Sequence, residues 1–463
     1  MIALWTAAEA ARALSLAPKG DWSATGISID SRTTAPGDLF IAIKGPNNDG
    51  HDYVPAALDA GAVAAMVAHL PDGVAPERLL VVTDTQAGLE ALGAAGRARS
   101  SARILGLTGS VGKTSTKMAL ARGLKAQAPP HASAESLNNH WGVPLSLARM
   151  PRDEAYGVFE MGMNHAGEIS RLTRQVRPHV ALITAIAPAH IEFFESEEAI
   201  ADAKAEIFEA VEPDGFAILD RSSTHYQRLA DHAQAAGVSR IVTFGRHDEA
   251  DIRLESEQVT ANGTDIIVQT ENGPLNVRIG APGTHWVDNS LAMIAAVGAL
   301  GGDVEAFAAS LAGLEASAGR GRQHRLTFDG RTITLIDDSY NANPRSMAAA
   351  IALLAQAPGR KIAALGSMLE LGRESDRLHA ELAGPLNDAG VASVITVGAA
   401  IAPLAAALPA DRLLAELDDA GGAYEILRQK LRDGDTLLVK GSKASGMGRL
   451  VDALIAADAG RAH

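Results

Sequence analysis

A glycine-rich segment between an apolar run and a helical pattern constrains the fold of this chain more than any other feature. Thr108-Gly-Ser-Val-Gly-Lys-Thr-Ser115 follows the apolar run Ile104–Leu107 and leads into a helical pattern that begins near Thr114. Strand, glycine loop and helix in this order are typical of a P-loop, whose backbone N–H groups approach phosphate oxygens. Lys113 supplies a positive charge, and the Thr114 hydroxyl is placed to hold Mg²⁺. The segment therefore predicts a nucleotide-binding α/β sheet.

Apolar runs and helical patterns alternate along most of the chain, which predicts parallel sheets covered by helices. We expect an α/β protein of three domains. Residues 1–83 form a small α/β domain, 84–316 a central P-loop-type domain with a mostly parallel sheet, and 317–463 a Rossmann-like domain. Within the central domain, apolar and polar side chains alternate over residues 251–280, and this stretch contains two Asn-Gly pairs. Both features indicate antiparallel hairpins.

Composition excludes several functional classes. Lysine and arginine number 41 against 55 acidic residues, and the net charge of −14 disfavours a nucleic-acid partner. The chain has no cysteine, which excludes disulfides and thiol nucleophiles and suits a cytoplasmic protein. Residues 1–20 read as an amphipathic helix without a signal-peptide pattern. The uncharged stretch 391–410 is interrupted by Gly398 and two prolines, so we expect no membrane span.

Two further residues of the central domain are candidates for chemistry. Glu160 ends an apolar run, and ligands of open α/β sheets lie at such strand ends. Lys204 lies four residues after Ile200 and four before Phe208, on the apolar stripe of its helix. Its position fits a snorkelling lysine, or an amine that reacts with CO₂ to give a metal-binding carbamate. His190, taken alone, fits a structural histidine as well as a ligand.

The third domain places polar clusters directly after its apolar runs, at 337–344, 366–372 and 440–446. Because carboxyl ends of parallel strands meet at one edge of a sheet, these clusters face a common ligand or serve as ordinary turns. Two glycines and two lysines in the last cluster favour an anionic ligand. The third domain is thus expected to approach the P-loop from the opposite side.

Together these segments resemble the Mur ligases, the ATP-dependent amide-forming enzymes of peptidoglycan precursor synthesis. The resemblance spans nearly the whole chain. Asp337-Asp-Ser-Tyr-Asn-Ala-Asn-Pro344 is similar to the form in members that add D-alanyl-D-alanine to UDP-N-acetylmuramoyl-tripeptide. The Asp-Asn-Pro-Arg signature of the diaminopimelate-adding members is absent. The segments that match the shared ATP and magnesium machinery are 108–115, 137–144, 160–164, His190 and 204–207.

The resemblance implies a role for each matched residue. It implies catalytic roles for Lys113, His190 and Lys204, with Lys204 as a carbamate. It implies ATP contacts by Thr108, Gly109, Ser110, Val111, Gly112, Lys113, Thr114, Ser115, His285, Asn289 and Arg320. It implies substrate contacts by Ser31, Arg32, Asn138, Asn139, Asp338, Tyr340, Asn341 and Asn343. It implies a site for two Mg²⁺ ions at Thr114, Glu160, His190 and Lys204.

The implied reaction uses ATP, UDP-N-acetylmuramoyl-tripeptide and D-alanyl-D-alanine, proceeds through an acyl phosphate, and is carried out by a monomer. Ala185 stands where the family usually has asparagine. One alternative is a ligase of the same architecture with another amine donor. Another is a P-loop ATPase that couples hydrolysis to movement, which Leu107 disfavours because it replaces the first glycine of the strict P-loop pattern. A non-catalytic nucleotide-binding module would not need His190 and Lys204 together.

Overall fold

Each of the three predicted parts of the chain is built around its own main sheet in the computed structural model, which describes residues 3–134, 136–188, 191–260, 263–328 and 330–459. The first part has a two-stranded antiparallel pair and a four-stranded parallel sheet. Its elements are β1 (Trp5–Thr6), α1 (Ala7–Ala13), β2 (Ser23–Ala24), β3 (Gly26–Ser28), β4 (Asp38–Ile41), α2 (Val54–Asp59), β5 (Ala64–Val67) and β6 (Leu79–Val81). Helix α3 (Thr85–Arg99) follows, at the start of the residues predicted for the central part.

The prediction of one amphipathic helix over residues 1–20 is wrong. The structure has strand β1 followed by the short helix α1. Thr6 begins that helix, because its hydroxyl accepts the Glu9 N–H and the Glu9 carboxylate accepts the Thr6 N–H. This capping box fixes the helix start at a residue that the apolar spacing alone does not distinguish.

The central part contains a nine-stranded sheet. Its strands are β7 (Arg103–Thr108), β8 (Pro130–Ala132), β9 (Tyr156–Glu160), β10 (Val180–Ile183), β11 (Phe216–Asp220), β12 (Arg240–Gly245), β13 (Ile252–Thr260), β14 (Gly263–Thr270) and β15 (Gly273–Ile279). Its helices are α4 (Lys113–Leu124), α5 (Gly142–Ala148), α6 (Glu168–Val176), α7 (Glu197–Ala205), α8 (Tyr226–Ala235), α9 (Thr284–Ala299) and α10 (Val304–Ser310). The P-loop strand β7 lies between β10 and β9, inside the parallel region.

The predicted hairpins are present and extend the central sheet. Strand β13 pairs in parallel with β12 through Phe244 and Gly245, and antiparallel pairing then joins β13 to β14 and β14 to β15. Helix α9 is buried against this region, with Trp286, Leu291 and Ile294 in one apolar cluster with residues of α4 and the sheet. This packing holds the start of α9 beside the P-loop.

The third part has a six-stranded sheet in the order β16-β17-β21-β18-β19-β20, parallel except for β16. Its strands are β16 (Arg322–Phe328), β17 (Arg331–Asp338), β18 (Lys361–Gly366), β19 (Ser393–Val397), β20 (Leu413–Leu417) and β21 (Thr436–Lys440). Its helices are α11 (Pro344–Gln356), α12 (Ser375–Ala380), α13 (Ala383–Asp388), α14 (Ala402–Ala407), α15 (Ala423–Lys430) and α16 (Met447–Ala459). Within the described ranges no helix combines the length and apolar character needed to cross a membrane.

Candidate active site

The P-loop turns tightly between β7 and α4. Gly109 has φ 152°, and a Cβ there would lie 2.0 Å from Thr184 Oγ1. Gly112 has φ 84°, and a Cβ would lie 2.9 Å from Asn289 Oδ1. Both positions therefore require glycine, for space and for backbone conformation. The Lys113 ammonium donates to the Gly109 carbonyl over 2.6 Å, which folds the lysine back across the loop.

Glu160 is the carboxylate nearest the P-loop hydroxyl. The Thr114 hydroxyl donates to Glu160 Oε1 over 3.0 Å, and the Asn138 amide donates to the same oxygen over 2.8 Å. Lys117 Nζ lies 3.4 Å from the other oxygen, Oε2. Glu160 and Lys117 are each only 1% exposed. Strand β9 thus ends in a buried carboxylate surrounded by donors from two other segments.

Lys204 is a buried amine in α7 with a strongly perturbed pKa. Its side chain is 2% exposed, and its Nζ has no hydrogen-bond or ion-pair partner among the residues that the structure describes. Burial, and secondly the charge of Lys113, lower the pKa of Lys204 well below its ordinary value. Burial also lowers the pKa of Lys113, which the charge of Glu160 partly opposes. Burial therefore makes the neutral amine, which is the form that reacts with CO₂, more accessible in Lys204 than in an exposed lysine.

The third domain supplies the opposite wall of the site. Lys440 is 1% exposed and donates to Asp338 Oδ2 over 2.7 Å and to the Asn341 carbonyl over 2.9 Å. The Arg320 guanidinium lies over the Tyr340 ring, 4.2 Å from its centroid. These contacts fix the segment that follows β17 in a single arrangement facing the P-loop.

A cavity of about 540 Å³ lies between the two domains. Most of the residues proposed for ATP and substrate line it, which places the phosphate-binding loop opposite the polar segment of the third domain. The predicted residues in its wall are Ser110, Val111, Gly112, Lys113, Thr114, Ser115, Asn138, Asn139, Glu160, His285, Asn289, Arg320, Asp338, Tyr340, Asn341 and Asn343.

Other predicted residues do not line this cavity. Thr108, which ends β7, and Gly109 of the P-loop are not in its wall, and Lys204 is buried outside it. Ser31 and Arg32 lie in the first domain, where Arg32 is ion-paired with Asp30 at 2.6 Å. His190 lies outside the described residues.

Several residues of the cavity are not apparent from the sequence. Asp288 lies one residue before Asn289, and burial raises its pKa although Arg246 opposes the shift. Ser136 and Arg345 also line the wall. Lys117 could have been found from its spacing, since it lies four residues after Lys113 on the same face of α4.

The residues near Glu160 fit a hard divalent cation. Carboxylate, hydroxyl and amide oxygens are ligands that Mg²⁺ accepts. Glu160 Oε2 is buried, and beyond its ion pair with Lys117 it accepts no hydrogen bond from the residues that the structure describes. In the described ranges no group of three histidine or acidic side chains forms a metal cluster. The donors in that part of the chain are therefore Glu160 and Thr114.

Comparisons with known proteins cover all three domains. The family model described as the Mur ligase middle domain matches residues 107–297, the Mur ligase glutamate ligase domain matches 321–443, and the catalytic domain of the Mur ligase family matches 23–100. The matched segments contain the P-loop, Glu160 and the polar segment after β17.

Relatives with similar sequences and structures span almost the full length. The UDP-N-acetylmuramoyl-tripeptide–D-alanyl-D-alanine ligase of Escherichia coli (strain K12) is 34% identical over 94% of each chain. MurF from Acinetobacter baumannii superposes with a TM-score of 0.86 at 30% identity, over 98% of this chain and 99% of that one. MurF ligase from Thermotoga maritima, solved with ADP, gives a TM-score of 0.80 at 26% identity, over 94% and 98%.

Proposed function

Because the chain belongs to the Mur ligase family, we propose that it joins D-alanyl-D-alanine to UDP-N-acetylmuramoyl-tripeptide, using ATP, in peptidoglycan synthesis. The observation that carries this proposal is the cavity in which the P-loop faces the Asp338–Asn343 segment. Relatives with this named activity match more than nine-tenths of the chain. The enzyme is an ATP-dependent amide-forming ligase.

In the first step, a terminal carboxylate oxygen of the tripeptide attacks the γ-phosphorus of ATP. A bond forms between the carboxylate oxygen and the γ-phosphorus. The bond between the γ-phosphorus and the oxygen that bridges it to the β-phosphate breaks, and ADP leaves. Both reactants are anions, so catalysis depends on positioning and on positive charge. The N–H groups of the P-loop hold the phosphates, and Lys113 leaves the Gly109 carbonyl to contact them.

Thr114, Glu160 and His190 would hold Mg²⁺, with two ions serving the reaction. Bound Mg²⁺ supplies positive charge that screens the phosphate and carboxylate oxygens from each other. The hydrogen bond between the Thr114 hydroxyl and Glu160 Oε1 holds these two oxygens together on one side of the cavity. The Asn138 amide holds the carboxylate from the neighbouring segment.

Lys204 is carbamylated in the working enzyme. Its neutral amine adds to CO₂, a nitrogen–carbon bond forms, and one proton leaves to solvent. Burial and the lowered pKa of Lys204 favour the neutral amine that this reaction needs. The product is a negatively charged oxygen donor that suits Mg²⁺, whereas an ammonium would repel it.

In the second step, the amine of D-alanyl-D-alanine attacks the carbonyl carbon of the acyl phosphate. A carbon–nitrogen bond forms, phosphate leaves with the oxygen received in the first step, and the amine loses its extra proton. Water in the site would hydrolyse the acyl phosphate, so the third domain must cover it. The Ser136 and Tyr340 hydroxyls, 2.7 Å apart, join the two walls and support this closure.

The first domain binds the uridine nucleotide, with Ser31 and Arg32 among its contacts. Arg32 is exposed, and its ion pair with Asp30 can be replaced by a phosphate oxygen. His51, which lies in the same domain, has a fixed ring because its Nδ1 is 2.6 Å from Asp49 and its Nε2 accepts the Ala68 N–H. These features support an anionic ligand on the first domain.

Phosphate release from ATP and Mg²⁺ tests the assignment. We expect release only when UDP-N-acetylmuramoyl-tripeptide and D-alanyl-D-alanine are both present, with the pentapeptide identified by mass. Release with single amino acids instead of the dipeptide would indicate a ligase with another donor. Release without any amide product would indicate an ATPase.

A further inference from the structure

Lys117 is a buried cation that contacts a proposed metal ligand from outside the cavity. Its Nζ lies 3.4 Å from Glu160 Oε2, and both side chains are 1% exposed. Glu160, Thr114 and Asn138 line the cavity, whereas Lys117 does not. The carboxylate is therefore held on two sides: Oε1 by the donors that line the cavity, and Oε2 by an ammonium in the protein interior.

The position of Lys117 follows from helix geometry. It lies one turn after Lys113 on α4, and α4 packs against β9, which ends at Glu160. Lys113 is directed to the Gly109 carbonyl, so the two lysines of this face have separate partners. The ion pair of Lys117 is thus part of the packing between the P-loop helix and the neighbouring strand.

A buried carboxylate without a counter-charge is unstable, and either an ammonium or a metal ion can neutralise it. Two cations on one carboxylate repel each other strongly where water is excluded. The ammonium therefore stabilises the metal-free site more than the metal-bound site. By thermodynamic linkage, a group that favours the metal-free state weakens metal binding.

We propose that Lys117 is a positioning residue that competes with the metal ion for Glu160. It neutralises the carboxylate when no metal is bound, keeps Oε1 directed to the cavity, and lowers the affinity of the site for divalent cations. The cation then arrives with ATP and leaves with ADP. This inference rests on the proposed function only through the role of Glu160 as a metal ligand.

Binding of Mn²⁺ to the full-length chain, followed by the electron paramagnetic resonance signal of the free ion, tests the proposal without any turnover. Lys117→Met removes the charge at similar length, and Lys117→Gln keeps a hydrogen-bond donor without the charge. We expect both variants to bind Mn²⁺ at least about tenfold more tightly than the wild type. Lys125→Met, at the exposed end of the same helix, is the matched control and should bind as the wild type does.

Equal or weaker Mn²⁺ binding by the Lys117 variants, or no binding at all, would overturn the proposal. Glu160→Gln distinguishes a failure of the metal assignment from a failure of the role proposed for Lys117. If Glu160→Gln binds Mn²⁺ as the wild type does, Glu160 is not a ligand, and both this inference and the metal assignment fail. If binding depends on Glu160 but is not tightened in the Lys117 variants, only the role of Lys117 fails.

If the Lys117 variants do not fold, thermal unfolding of other variants tests independently whether Lys117 and Glu160 compensate each other's charge. The variant that combines Lys117→Met with Glu160→Gln contains neither buried charge. We expect it to fold and to unfold at a higher temperature than Glu160→Gln alone, in which the buried ammonium has lost the charge of the Glu160 carboxylate. A double variant that is no more stable than Glu160→Gln would contradict charge compensation between the two residues.

Discussion

Lys204 is the side chain whose proposed chemistry differs most from that of an ordinary lysine. Its spacing alone favours a snorkelling residue. The structure places it at 2% exposure, with its Nζ unpaired among the described residues, and burial lowers its pKa. A snorkelling lysine would instead reach solvent. Burial thus argues against the simpler explanation and makes the neutral amine more accessible than in an exposed lysine.

Carbamylation of Lys204 predicts a specific spectroscopic signal. In ¹³C-labelled bicarbonate, the wild-type protein should give a protein-bound carbamate resonance that Lys204→Ala lacks. Activity of Lys204→Ala should fall by at least about a hundredfold, as expected for the loss of one charged group of a preorganised site. Lys125→Ala, which removes an exposed lysine, should keep both the signal and the activity. An unchanged resonance in Lys204→Ala would exclude this residue as its source.

Site residues within one continuous segment were predictable, and residues brought together by packing were not. The P-loop and the 338–343 segment could be identified because each is a short motif at a strand end, whereas Asn138 was proposed only from the family resemblance. The pairing of Lys117 with Glu160 could not, because it depends on how α4 packs against β9. Asp288 was missed for the same reason, since only the folded chain shows that it lines the cavity.

Most strands were predictable because each is a short apolar run next to turn residues. The apolar run that ends at Glu160 is strand β9, and the apolar run before the 366–372 cluster is strand β18. The sequence also predicted the hairpins, but not that they continue the central sheet. That junction depends on two residue pairs between β12 and β13, which no local pattern indicates. At the N-terminus, a capping box overrides the apolar spacing.

The contact between β7 and the residue before β10 predicts acid sensitivity. His179 Nδ1 accepts the Ile104 N–H over 2.9 Å, and burial, together with nearby arginines, lowers the pKa of His179 to about 4. The unfolded chain therefore binds more protons than the folded chain between about pH 6.5 and 4. The stability that this neutral histidine contributes is present above that window and is lost as pH falls through it.

We expect the free energy of unfolding to fall by about 2 kcal/mol across this window because of His179. Chemical denaturation at several pH values measures it, and His179→Gln should give a shallower decline. His247 also accepts a backbone N–H, from Glu249, but it is exposed, so His247→Gln is the matched control. Equal slopes for wild type and His179→Gln would contradict the assignment.

The arrangement of the whole molecule suits a reaction that must exclude water. Contacts between the central and third domains include the Ser136–Tyr340 hydrogen bond. In addition, Arg345 donates to the Ile186 carbonyl over 3.0 Å. The Glu192 N–H donates to the Glu370 carbonyl over 3.1 Å. The sequence predicted that the two domains face each other. It did not predict these contacts, which depend on side chains from distant segments.

Loss of the Ser136–Tyr340 contact should uncouple ATP use from amide formation. Tyr340→Phe and Ser136→Ala each remove one hydrogen bond, worth about 1 kcal/mol in stabilising the closed arrangement. We expect each variant to release about two- to fivefold more phosphate per amide formed, by partial opening to water. The double variant should show no further increase, because both changes remove the same bond. Additive effects, or full coupling in both single variants, would contradict this role.

We propose that a carboxylate is activated by phosphorylation in the cavity between the P-loop and the third domain. Transfer of ¹⁸O tests it most directly, with UDP-N-acetylmuramoyl-tripeptide labelled in the terminal carboxylate and with ATP, Mg²⁺ and D-alanyl-D-alanine. The account predicts one ¹⁸O in each phosphate released and one amide formed for each phosphate, both read by mass spectrometry. Unlabelled phosphate, or phosphate without pentapeptide, would show that the carboxylate is not the phosphoryl acceptor and would contradict the account.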